Sequence, residues 1–345
     1  ARLDHLLWEY EPAQARRMYP LVGDGWERLA EARLALRARR GGVDDLVAAV
    51  PADLRDHPGL NFERFIWRMR EGLTDSAQEL IDATSTSAEA LGHPEEWSNR
   101  RRQLARELMR SGDLDGAYHV AANHHMEIGD DDSDYADLEW IAGYTALRLG
   151  RYDTALQHFN NFRAVVVSPI SVGRAGYWIG RTYEAAGNAE GAALGYALGA
   201  QYQSSFYGQL AAERGGIAAD RAFLGQEDFG NWRDSDFVDD DVFQAAMALF
   251  EADEIGLASR FWTHLTESLS RQDAGRLGDM ALELGSPHIA LRIAKRAAQN
   301  GHEIMRAYYP IYPDLVEADL PVSARLTLSI ARRESEFNPA VISGA

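Results

Sequence analysis

The sequence has 345 residues, 46% apolar and 26% charged, enough chain for two or three domains with a substantial buried core. Its net charge of −18 argues against a nucleic-acid partner, which needs a clustered Lys/Arg face, and the absence of cysteine removes disulfides, thiolate nucleophiles and cysteine-based zinc sites. No run of about 18 uninterrupted apolar residues occurs, so no membrane span is expected. The opening Ala1-Arg2-Leu3-Asp4 leads into no apolar signal region, so an exported form would have carried its signal upstream.

A short pattern recurs along the chain: Gly, an apolar residue two positions on, an acid three on and an Ala five on. It begins weakly at Gly41-Val43-Asp44 and Gly72-Asp75-Ala77. It is clear at Gly112-Leu114-Asp115-Ala117, Gly150-Tyr152-Asp153-Ala155 and Gly187-Ala189-Glu190-Ala192, with spacings of 38 and 37 residues. It fades again at Asp253-Ile255-Ala258 and Gly285-Ala290. Each part has a physical reason. Gly ends one helix in the left-handed conformation at low cost. The acid falls in the first turn of the next helix, where the macrodipole favours it. The small Ala lets two helices approach closely. Apolar residues at helical spacing flank the turns, as in Trp140, Tyr144 and Leu147 before Gly150 and Leu156 and Phe159 after it. The main β-branched run, Val165-Val166-Val167, is stopped by Ser168-Pro169. The expected fold is therefore all-α: a superhelical solenoid of helical hairpins, tetratricopeptide-like, closing toward a ring or horseshoe.

Acid is concentrated at Asp130-Asp131-Asp132-Ser133-Asp134 and again from Asp234 to Asp241. The first resembles a calcium loop only in part, because Tyr135 stands where the turn glycine belongs and Ile141 where the bidentate Glu belongs. Both stretches read as solvated loops at helix N-termini. His119, His124 and His125 are close in sequence, but His119 to His124 is a step of five, which misses the i,i+4 spacing of a helical ligand pair. No Gly-rich phosphate loop and no Gly-x-Ser-x-Gly elbow occurs. Neither a metal nor another cofactor is expected. Read this far, the chain is a scaffold of helical repeats, and an adaptor holding a protein partner on its concave face is its natural function.

Residues 322–339 carry a different signal. Pro321 suits a helix start and Asn338-Pro339 a helix end. Leu326, Ile330, Glu334 and Phe337 fall on one face of such a helix, and Arg325, Ser329, Arg332 and Glu336 on another. Glu336 is expected to pair with Arg332 one turn earlier and to be solvated. Glu334 interrupts an apolar stripe. It is either a carboxylate at the stripe's edge paired with Lys or Arg, or a partly desolvated group whose raised pKa suits a general acid.

Several segments resemble the soluble lytic murein transglycosylase family. The resemblance begins with Leu3-Asp4-His5-Leu6-Leu7-Trp8, Trp67-Arg68, Trp97 with Arg100 and Arg101, and Tyr177-Trp178-Ile179-Gly180-Arg181. It strengthens at Ser205-Phe206-Tyr207-Gly208-Gln209-Leu210-Ala211 and at Tyr309-Pro310 and Tyr312-Pro313. The most specific stretch, Ile330-Ala331-Arg332-Arg333-Glu334-Ser335-Glu336-Phe337-Asn338-Pro339, is similar to the family's Ile-Ala-Arg-x-Glu-Ser-x-Phe-Asn-Pro motif. The resemblance implies a scaffold over residues 1–240, a helical linker over 241–310 and the start of a lysozyme-like catalytic domain over 311–345. In the family, Ser-Gly-Ala is followed by x-Gly-Leu-Met-Gln and about a hundred further residues, so most of that domain is expected to lie outside this sequence. The resemblance implies a periplasmic enzyme that cleaves peptidoglycan glycan strands with formation of a 1,6-anhydromuramic product. It makes Glu334 the catalytic acid and base and Ser343 a substrate contact. It also implies that cell-wall synthesis proteins are candidate partners.

Overall fold

The computed structural model describes residues 1–129 and 132–342, and every regular element among them is a helix. The chain divides into two compact units, Ala1–Ala218 and Ala219–Ala345. The first unit holds α1 (Arg2–Trp8), α2 (Pro12–Arg17), α3 (Asp24–Arg37), α4 (Val43–Ala48), α5 (Pro58–Arg70), α6 (Thr74–Thr84) and α7 (Ala88–Leu91). It continues with α8 (Pro94–Ser111), α9 (Leu114–Ala122), α10 (Asp132–Arg148), α11 (Tyr152–Val165), α12 (Pro169–Ala185), α13 (Ala189–Ala200) and α14 (Phe206–Arg214). The second holds α15 (Asp241–Glu251), α16 (Ile255–Leu265), α17 (Arg271–Glu283), α18 (Pro287–Gln299), α19 (Met305–Tyr308), α20 (Pro313–Glu317) and α21 (Ala324–Glu334).

The repeat read from the sequence is a run of helical hairpins. Gly112, Gly150 and Gly187 follow α8, α10 and α12, and all three are left-handed, with φ of 95°, 75° and 74°. The alanines five positions on, Ala117, Ala155 and Ala192, are buried in the next helix. Asp113 and Asn188 cap α9 and α13 by accepting from the backbone N–H of Gly116 and Gly191, both at 2.9 Å. Helices α8 to α14 pack mainly on their neighbours in sequence, α9 between α8 and α10, α11 between α10 and α12. The weaker copies differ in detail. At the first, the left-handed residue is Gly42 rather than Gly41, and between α15 and α16 the position is taken by Asp253, with φ of 62°.

The closest packing joins α12 to α13. A Cβ built on Gly176 would lie 2.3 Å from the Gly199 nitrogen, and one on Gly195 would lie 2.4 Å from the Gly180 nitrogen. The two backbones touch where glycines face each other, and neighbouring side chains cannot move aside to relieve a clash with backbone.

In the second unit α15 to α18 enclose a core that includes Phe243, Trp262, Leu277, Met280, Ile289 and Ile293, all at most 2% exposed. The acidic stretch before α15 forms two short 3-10 turns, and Asp240 caps α15 by accepting from Val242 N–H at 2.7 Å. Helix α21 is shorter than the 322–339 expected. Ser323 caps its start by accepting from Leu326 N–H at 3.3 Å, and its last residue is Glu334. The cause is the backbone of Glu336 and Phe337, whose φ values of 51° and 59° cannot continue a right-handed helix.

Two glycine substitutions separate the turn from the close approach. Gly150 has open space around its missing Cβ but a φ of 75°, so Gly150→Ala is expected to lower stability by about 1–2 kcal/mol, the cost of a left-handed L-residue. Gly176→Ala must push two helices apart and is expected to cost at least as much, about 1–3 kcal/mol or more. Equal, negligible shifts in denaturant midpoint for the two variants would contradict this packing.

Candidate functional site

Helix α21 presents Glu334 at its C-terminal end, where the side chain is exposed. Leu326 and Ile330, on the same helix face, are 48% and 52% exposed. The partial desolvation expected of Glu334 is therefore not what the described residues show. Phe337 does not join this face. The chain turns back after Glu334, and Phe337 is 7% exposed with its ring stacked on Tyr312, centroids 6.2 Å apart. Its backbone N–H reaches the Ala331 carbonyl at 3.3 Å, which closes the turn onto the helix end. Ser343, the other residue that the family resemblance singles out, lies outside the described residues.

Glu336 also departs from its expected place. The helix ends before the i,i+4 relation with Arg332 can form, and the two side chains take separate partners. The Glu336 carboxylate pairs with the Lys295 ammonium of α18, and the Glu336 carbonyl accepts from His288 Nδ1 at 2.9 Å. The Lys295 hydrogen bond, outweighing partial burial and assisted by the charges of Lys295, His288 and Arg292, holds the Glu336 carboxyl below the usual carboxylate range. Arg332 instead donates from Nε to the Tyr308 carbonyl at 2.9 Å and lies 4.6 and 4.5 Å from the Tyr308 and Tyr309 ring centres. Left-handed non-glycine residues cost of order 1–3 kcal/mol each and persist where their surroundings over-determine them. Here the surroundings are α18, α19 and Tyr312.

Of the two carboxylates in residues 323–339, one is thus neutralised by a lysine and one is exposed at a helix end. Chemistry that needs two free carboxylates side by side is not provided by this segment. A single carboxyl that first gives and then takes a proton is compatible with it.

Two further clusters of titratable groups lie in the first unit, and the sequence pattern identified neither. Glu139 of α10, 4% exposed, is bracketed by His124 Nε2 at 3.1 Å and His158 Nδ1 at 2.7 Å, with Asn161 Nδ2 donating at 3.2 Å. Burial alone would raise its pKa, but the hydrogen bonds and charges of His124 and His158 bring it down to about 2. His119 and His125 face elsewhere, toward Asp82 at 3.1 Å and the Ser85 carbonyl at 3.0 Å. Among the described residues no group of three or more His, Asp or Glu side chains is arranged to hold a metal. In the acidic run before α10, Asp130 and Asp131 lie outside the described residues. Asp132 accepts from the Gly129 N–H at 2.9 Å and Asp134 pairs with Arg102 at 2.7 Å.

The second cluster lies between α1, α3 and α5, with Asp4 at its edge, 27% exposed. Arg33, 1% exposed, donates to Asp4 at 2.6 Å, and Glu63, also 1% exposed, lies 3.5 Å from Arg37. Burial raises the Glu63 carboxyl to about 7 despite Arg37 and Arg33. A perturbed acid is a usual marker of a functional site, but this one is enclosed and offers a substrate no access.

No family model matches the sequence, and no curated protein matches it. The chain is similar to a structure described as the complex of the 70-kDa soluble lytic transglycosylase with bulgecin A, at 15% sequence identity and a TM-score of 0.41. The match covers 99% of this chain and 66% of that one, so the chain spans about two thirds of the length of that protein.

The two buried acids tilt stability in opposite senses. Glu139 has a folded pKa of about 2 against an ordinary 4.5, so its contribution is complete above 4.5 and lost as pH falls toward 2. Glu63 has a folded pKa of about 7, so the folded state holds an extra proton between 4.5 and 7 and stability declines as pH rises through that window. Each contribution is about 1–3 kcal/mol. In urea melts across pH, Glu139→Gln is expected to flatten the acid limb and Glu63→Gln the limb between pH 4.5 and 7. Unchanged slopes in both variants would refute the assignments.

Proposed function

We propose that this chain belongs to a peptidoglycan lytic transglycosylase and carries its helical scaffold together with the helix that bears the catalytic carboxyl, Glu334. The observation that carries the reading is the Glu334-Ser335-Glu336-Phe337-Asn338-Pro339 segment, with Glu334 exposed at a helix end while Phe337 is buried as its anchor and Glu336 is neutralised by Lys295. In the proposed reaction protonated Glu334 donates to the oxygen joining N-acetylmuramic acid to N-acetylglucosamine, and the bond to the anomeric carbon breaks. The substrate's acetamido group stabilises that carbon. The Glu334 carboxylate then takes the proton of the muramic C6 hydroxyl, whose oxygen closes on the anomeric carbon. No water is consumed, and the carboxyl is regenerated. The substrate is the β-1,4 glycan of the cell wall, the compartment is the periplasm, and cell-wall synthesis proteins are the partners to test first.

The family resemblance puts the remaining substrate contacts, including a Met and a Gln, beyond residue 345. Residues 1–345 alone are therefore expected to release no anhydro-muropeptides from purified sacculi, because positioning and transition-state contacts supply most of the rate. In the protein carrying the complete catalytic domain, Glu334→Gln should lower release by at least about 10²- to 10⁴-fold, the usual effect of losing a general acid. Mass spectrometry of the released products reads both. Normal release by Glu334→Gln would remove the catalytic assignment. A helical-repeat adaptor would then be the better reading, a role favoured by large apolar side chains left open on the first unit, such as Ile170 at 67%, Leu194 at 69% and Phe206 at 69% exposure.

A further inference from the structure

Immediately after Glu334 the chain makes a turn that its residue types do not favour. Glu336 and Phe337 are consecutive, neither is glycine, and both are left-handed, at φ 51° and 59°. Among the described residues no other adjacent pair of non-glycine residues has positive φ. Two attachments to α18 act on the first of them from different sides. Lys295 holds its carboxylate and His288 its carbonyl. His288, Arg292 and Lys295 stand at i, i+4 and i+7, so they form one basic face on α18, and all three charges act on Glu336. The second residue, Phe337, is fixed by packing on Tyr312 and lines a hollow with Phe250, Ile255 and Pro287. In the Glu-Ser-x-Phe-Asn-Pro pattern, Glu336 occupies the variable position, so the resemblance assigns it nothing.

We propose that Glu336 is a positioning residue: gripped by Lys295 and His288 of α18, it fixes the left-handed turn that terminates α21 at Glu334, so that the helical bundle of the second unit sets the direction in which the Glu334 carboxyl is presented. The proposal rests on the catalytic reading of Glu334. A helix that ran on through residue 338, as the sequence pattern alone anticipates, would leave Glu334 mid-helix and point Phe337 along its stripe. The ion pair and the carbonyl bond favour the turned conformation over that one. The role also explains why a helix rich in basic groups is placed under a segment whose own charges are mixed.

The experiment has two readouts. In residues 1–345, hydrogen exchange of the amides of 335–338 is compared with that of α18. Lys295→Ala and Glu336→Gln are expected to speed exchange in 335–338 by about two- to fivefold, the range for a half-exposed ion pair, with α18 unchanged. Lys295→Arg, which keeps the charge, should restore protection. Unchanged exchange in Lys295→Ala and Glu336→Gln, or Lys295→Arg behaving like Lys295→Ala, would overturn the proposal. In the protein with the complete catalytic domain, Glu336→Gln should lower kcat by about two- to fivefold, the factor by which the turn is loosened, with KM nearly constant, as expected when a reacting group is misdirected. Turnover equal to the parent's would also overturn it. If Glu334→Gln is itself active, the catalytic reading fails, while the exchange measurement still reports whether Lys295 and Glu336 hold the turn.

Discussion

Most helices of this length are marginal alone in water, and that constraint organises the molecule. The elements run from four to eighteen residues, at or near the size where nucleation cost outweighs propagation. Each must be covered by a neighbour, and the neighbour must come close. The chain meets this with a left-handed residue at the end of one helix and a small residue early in the next. Gly150 and Ala155 illustrate the arrangement, and Gly176 against Gly199 carries it to backbone contact. Larger groups then fill the space around each crossing, as Phe159, Trp97 and Trp262 do with no exposed surface.

The turns were the most legible part of the sequence, because a left-handed residue between two periodic segments leaves a fixed signature. Gly112, Gly150 and Gly187 carry that signature, and each is left-handed in the structure. The copy near Gly41 was displaced by one because two glycines are adjacent there and only Gly42 takes the strained geometry. The facing glycines of α12 and α13 were not legible, since their meaning depends on which helix lies opposite. The same holds for the carboxylates. Glu139 and Glu63 look like ordinary helix-surface acids until the fold brings His124, His158, Arg33 and Arg37 around them.

The C-terminal segment shows how periodicity misleads at a helix end. A face assigned at steps of four, four and three assumes that the helix continues, and here the last step crosses a reversal of the backbone. Glu334 keeps its place beside Leu326 and Ile330, but Phe337 turns inward and Glu336 acquires a partner forty-one residues away in sequence. In the sequence Asn338-Pro339 reads as the terminator. The helix ends earlier, at Glu334, ahead of a left-handed turn whose Glu336 is in contact with α18.

The sequential packing of α8 through α14 has a consequence for how the first unit reaches its structure. Its contacts join segments that are near in the chain, so little loop entropy is lost before each contact forms. Low contact order of this kind goes with fast folding and with assembly that spreads from whichever hairpin forms first. In such an array a local defect interrupts propagation at one junction and leaves the helices on either side with their other neighbours. The backbone contact between α12 and α13 is the junction least tolerant of error, since no side-chain rearrangement can fill or relieve it. A chain emerging from the ribosome would complete α8 to α11 before that junction exists, and would depend on two facing rows of glycine to add the last hairpin.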